Sequence, residues 1–161
     1  MLSDDYIHRL PKPLKTLVFT FVMVLSIGYL SGLAFVQETT NASSAGIIEN
    51  YVGNEDDEDA EEMKFKKSYH EMLNIIHTHV LSMSIIFFLL GLLVYGVQMN
   101  AKLKMFLLIE PLLSVVLTFG SIYLIWSGMH VFSYVAMVSG GLMTFSFVAS
   151  ACAIFYALCA K

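Results

Sequence analysis

Three histidines and one glutamate are the side chains with chemistry to offer inside an otherwise apolar chain. His77 and His79 open one long apolar run, and His130 opens another. Imidazole carries protons and ligates metals, and in hydrocarbon it needs a partner. Wound as a helix, the segment from Tyr69 places His70, His77, Ser84 and Gly91 on one face, seven residues apart. Two imidazoles from separate helices, facing one volume, suit the axial positions of a b-type haem. Ser84, Gly91 and the pair Gly140 and Gly141 would leave room for the macrocycle. His77 and His130 are the expected ligands, with His79 as the substitute. Two residues turn a helix by about 200°, so His77 and His79 cannot both face inward. A bare Zn, Cu or Fe ion is the other guest for these imidazoles, with an acid such as Glu71 completing the set.

Glu110 is the second polar feature. It lies inside an apolar run, is followed by Pro111, and shares a helical stripe with Ser114, Thr118 and Ser121. An ionised carboxyl is costly in hydrocarbon, so Glu110 should carry a proton or a hydrogen-bonded partner. Pro111 removes one backbone donor from the helix and frees a carbonyl. Glu110 and Ser114 therefore read as a proton relay or a quinone contact, with a packing role that bonds a neighbouring helix as the plainer reading.

The elements that must position these residues follow from the apolar runs. Of 161 residues, 57% are hydrophobic and 14% charged, and mean hydropathy is +0.71. Four runs, about 17–36, 71–97, 105–125 and 130–160, are each long enough to cross a hydrocarbon core needing about 20 residues of helix. The fold expected is all-α, an integral membrane four-helix bundle in a single domain over 1–161. The first run exceeds the 7–15 residues or so of a signal-peptide core and is read as a retained helix. Within it, Gly28 and Gly32 form a G-x-x-x-G face where another helix can approach closely. Short turns after the second and third runs make the last three helices antiparallel neighbours. Cys152 and Cys159 share one helical face and read as packing residues.

The loop 37–69 and its surroundings hold ten of the thirteen acids, so the net charge of −4 describes one loop. The cluster Glu55–Glu62 reads as a solvated charge run, or as a docking patch for a basic soluble electron carrier. No basic stripe is present, which argues against nucleic acid. Basic residues favour one side: Arg9, Lys12, Lys15, Lys102, Lys104 and Lys161 against Lys64, Lys66 and Lys67. Six against three puts both termini in the cytoplasm and the acidic loop outside. His77, His79 and His130 are then expected at similar depth near the outer interface.

With histidines on helices two and four and an intramembrane Glu110, the layout resembles the four-helix membrane cytochrome b subunits of respiratory complexes. The resemblance is one of topology over about residues 17–160, and it implies a non-catalytic subunit passing electrons to or from quinone. The second pair of histidines common in such cytochromes is missing, so it implies at most one haem. The leading expectation is a haem-b electron-transfer subunit in a plasma (inner) membrane, or the mitochondrial inner membrane of a eukaryote. The alternatives are a cofactor-free accessory subunit among other membrane subunits and a proton-relay element built on Glu110.

Overall fold

The computed structural model describes residues 6–55 and 62–159. Residues 56–61 of the acidic cluster, together with Asp4, Asp5, Ala160 and Lys161, lie outside the described residues. The fold is an all-helical membrane bundle of five helices: α1 (Lys12–Thr40), α2 (Ser44–Val52), α3 (Tyr69–Tyr95), α4 (Ala101–Trp126) and α5 (Phe132–Cys159). All but α2 are long and apolar enough to span a membrane.

Local chemistry sets the helix ends. Pro11 and Pro13 start α1, where a missing backbone donor costs nothing, and Asn41 closes it in the left-handed conformation at φ 49°. Ser68 and Glu71 form a capping box on α3. Their bonds run from the Ser68 amide to Glu71 Oε2 (2.7 Å) and from the Glu71 amide to Ser68 Oγ (3.3 Å). The Asn100 side chain accepts from the amides of Lys102 and Leu103 and starts α4. Each spanning helix except α5 begins earlier than its apolar run, because polar residues of the flanks join the first turn.

The short helix α2 falls in the stretch expected to be loop. Ser43 caps it, accepting from the Gly46 amide at 3.0 Å, and Gly53 ends it at φ 91°. Nine residues are too few to be helical alone, so tertiary contact must hold α2. It packs across the ends of α4 and α5, where the Ser44 and Ser133 hydroxyls share a 2.6 Å hydrogen bond. The chain after it is tied down as well. Asn54 N donates to Lys64 O (2.9 Å), Lys67 N to Tyr51 O (3.2 Å), and Trp126 Nε1 to Lys67 O (2.7 Å).

At the opposite end, the arm before α1 docks on the α3–α4 turn. Tyr6 donates to Leu92 O at 2.6 Å, its ring fills the space beside Gly96, and Ile7 is fully buried. Lys104 Nζ donates to the carbonyl of Tyr95, the last residue of α3, at 3.2 Å. The arm is thus part of the packed end of the bundle as well as a surface segment.

Helix α4 is central, between α3 and α5, with Val115, Ile122 and Ile125 buried along it. Helix α1 is peripheral: Val22 and Thr40 are its buried residues. It leans on α5 through Phe19 against Phe155 (5.2 Å between centroids) and Tyr29 stacked on Phe147 (3.9 Å). Gly28 and Gly32 have no described atom within 4 Å of where a Cβ would sit, so their face meets no other helix among the described residues. The outward surface is apolar, with Val24, Phe35 and Val138 well exposed. Lipid tails cover such a surface at no hydrophobic penalty.

Candidate functional site

The histidines are not brought together. His77, His79 and His130 are all exposed, and no three of His, Cys, Asp and Glu gather into a metal-binding group among the described residues. Helix register explains this. Tyr69 lies beside Trp126 (6.0 Å between centroids) and His79 beside Phe119 (4.9 Å), so α3 and α4 run antiparallel and level at these pairs. His130 lies in the turn beyond Trp126, whereas His77 and His79 sit more than two turns inside α3. At 1.5 Å per residue the axial separation is on the order of 10 Å or more, too far for two ligands of one iron. His79 is engaged locally: its Nδ1–H donates to Ile75 O at 2.8 Å. The register thus sets His130 at a different level from His77 and His79, and the three imidazoles are not gathered into one group among the described residues.

Glu110 does find partners, and they come from two helices. It lies about 13 Å along α4 from Ala101. Ser114 Oγ, one turn further on α4, donates to Oε1, and Ser146 Oγ of α5 donates to Oε2. Both serines are buried, at 2% and 0% exposure, so these hydroxyls have no access to water. Each carboxylate oxygen thus has its own hydroxyl donor, one from each of two helices.

Glu110 and its serines form one part of a longer file. Thr118 and Ser139 share a 2.7 Å hydrogen bond across the same interface. Together with Glu110 and Ser146, this pair sets the antiparallel register of α4 and α5, in which Ser133 lies level with Leu124 and Ser150 with Leu107. Ser150, Ser146, Ser114, Thr118, Ser121 and Ser133 then follow one another along the bundle, all buried. Successive steps are three or four residues, about one helical turn each, and the file covers about 25 Å at 1.5 Å per residue, most of a hydrocarbon core about 30 Å thick. Its far end meets Ser44 of α2.

The near end opens sideways. A groove along α4, about 680 Å³, runs over Lys102, Met105, Phe106, Ile109 and Leu113 and reaches Glu110. Its lining is almost wholly apolar apart from these two charged residues. On the α5 side, Thr144, two residues before Ser146, shares a 3.2 Å hydrogen bond with Tyr29 of α1. Phe87 of α3 closes the cluster edge-on against Phe147 and Tyr29.

Of the residues singled out in the sequence, Glu110 and Ser114 meet, with Thr118 and Ser121 on the same buried stripe. Ser146, Ser139 and Tyr29 were not singled out. The signal for the serines is Ser139, Ser146 and Ser150 at spacings of seven and four, a single face of α5. Tyr29 has no comparable pattern, because its place is set by α1 leaning on α5.

No curated protein and no solved structure matches the chain. A transmembrane helical domain, Aq_1264_TM, matches residues 41–161, which take in α2–α5 and leave α1 outside. The hydroxyl file and Glu110 both lie within the matched part. The chain belongs to the Aq_1264_TM family of transmembrane helical domains.

Proposed function

We propose that this membrane domain handles protons, with Glu110 as the group that takes and releases them. The observation that carries the reading is a carboxyl held by hydroxyls from two helices at one end of a buried file of hydroxyls. In the ionised state Ser114 and Ser146 both donate to the carboxylate. When a proton arrives on one oxygen, the hydroxyl facing it turns to accept, and its own hydrogen passes to the carbonyl one turn back, a bond open to helical serines. Hydroxyls are donor and acceptor at once, so Ser114 and Ser146 can serve Glu110 in both of its protonation states.

The excess of basic residues at the end holding Lys102 and Lys104 supports placing that end, and both termini, in the cytoplasm. Glu110 would then be loaded from the cytoplasmic side. The titratable side chains around it are Tyr29 of α1, within electrostatic reach, and Lys102 at the far end of the groove on α4. Phe87 of α3 and the hydroxyls of α5 bring no ionisable group.

A lipid-soluble carbodiimide tests this, because it reacts with a protonated carboxyl and can reach Glu110 through the apolar groove. Dicyclohexylcarbodiimide should modify Glu110 in membranes, more slowly as pH rises, and should leave the Glu110→Gln protein unmodified at that position. Labelling that is absent at every pH, or constant across pH, overturns the reading.

A second reading, a packing subunit of a larger membrane assembly, is favoured by one observation: the Gly28–Gly32 face of α1 meets no other helix among the described residues. Crosslinking from α1 to a different subunit, with no pH-dependent labelling of Glu110, is the result it expects.

A further inference from the structure

We infer that the Glu110 site also binds a small monovalent cation, sodium, in competition with the proton; this rests on the proton-site reading above. The starting point is charge. Ser114 and Ser146 donate to the two carboxylate oxygens, yet no lysine, arginine or histidine among the described residues lies in contact with them. An ionised group in low dielectric without a counter-charge is costly, so the site needs a positive guest from solution. A proton is one such guest. The donor set suits a second.

Four oxygens gather at the α4–α5 interface: both carboxylate oxygens of Glu110 and the Ser114 hydroxyl from α4, and the Ser146 hydroxyl from α5. Carboxylate and neutral oxygen donors with no sulfur or imidazole suit hard cations. A single carboxylate supplies one negative charge, so a monovalent ion leaves the site neutral, whereas a divalent ion would leave a net positive charge in the bilayer. To ligate, each serine turns its hydrogen from the carboxylate to the carbonyl one turn back, Glu110 O for Ser114 and Leu142 O for Ser146. The lone pairs then face the ion. Pro111 leaves the Leu107 carbonyl, a turn before it, without its helical donor, and so adds a free backbone oxygen near this level of α4. Each carboxylate oxygen already touches one hydroxyl, which leaves little room between them and favours sodium over the larger potassium ion.

Carbodiimide labelling of the full chain in detergent, at one mildly alkaline pH and constant ionic strength, reads this directly. Sodium chloride should slow modification of Glu110 several-fold relative to potassium chloride, because a bound ion excludes the proton that the reagent needs. In Ser146→Ala, shown to be folded by circular dichroism, about tenfold more sodium should be required for the same protection. Ser114→Ala serves as the second variant, with the same expectation, and the salt comparison on the unaltered protein needs neither. Equal rates in sodium and potassium overturn the inference while leaving the proton site standing. Labelling absent in both salts at every pH overturns the proton site and this inference together.

Discussion

Removing both serines that hold Glu110, Ser114→Ala with Ser146→Ala, should weaken the fold by about 3 kcal/mol while the carboxyl is ionised. A hydrogen bond to a charged group contributes about 1.5–3 kcal/mol, and its loss leaves a half-buried carboxylate without donors. The lower end of the combined range applies, since interhelical bonds in membranes average less than in water-soluble cores. The same pair of substitutions in a Glu110→Gln background should cost only about 1 kcal/mol, because a neutral amide forfeits no charge stabilisation. Unfolding in mixed micelles with increasing dodecyl sulfate measures all four proteins of the cycle. Equal costs in the two backgrounds would mean that the serines are packing residues and the carboxyl is not charged when held by them.

Gly46→Val should have a comparable effect at the other end of the file. A Cβ on Gly46 would lie 2.0 Å from the Thr40 carbonyl oxygen and 2.6 Å from its carbon, both backbone atoms that no rotamer change can move. Overpacking costs about 1–3 kcal/mol where side chains can yield, and here the upper end, about 3 kcal/mol, is expected. The junction of α1 and α2 must open, which draws Ser44 away from Ser133 and exposes the α2 end of the hydroxyl file to water. Hydrogen exchange should speed up in α2 and at the amides of Lys64 and Lys67, whose acceptors Asn54 and Tyr51 move with it. Gly28→Ala is the control: its Cβ meets nothing, so stability should be unchanged.

The spans were readable because a bilayer demands length, and four apolar runs meet that demand without help from tertiary contact. Glu110 with Ser114 was readable for a related reason: residues one turn apart on a helix are neighbours wherever the helix sits. Residues that meet across helices depend on register, which the sequence does not display. Ser146 reaches Glu110 because α5 begins at Phe132 and runs antiparallel to α4, and a serine in an apolar helix otherwise looks like a small packing residue. The histidines show the same dependence with the opposite result. Their number and spacing suggested convergence, but the Ser68 capping box starts α3 level with Trp126 and carries His77 and His79 inward, while the turn holds His130 at the surface. Helix α2 was hidden because nine half-polar residues have little helical preference of their own. The tops of α4 and α5 supply its stability.

Infrared difference titration reads the protonation of Glu110 itself. Unaltered protein in lipid should show a protonated-carboxyl carbonyl band that disappears reversibly as pH rises, shifts on ¹³C-glutamate labelling and is missing from Glu110→Gln. A band that is unchanged across the stable pH range, or that persists in Glu110→Gln, would contradict the assignment of this residue as the proton-binding group.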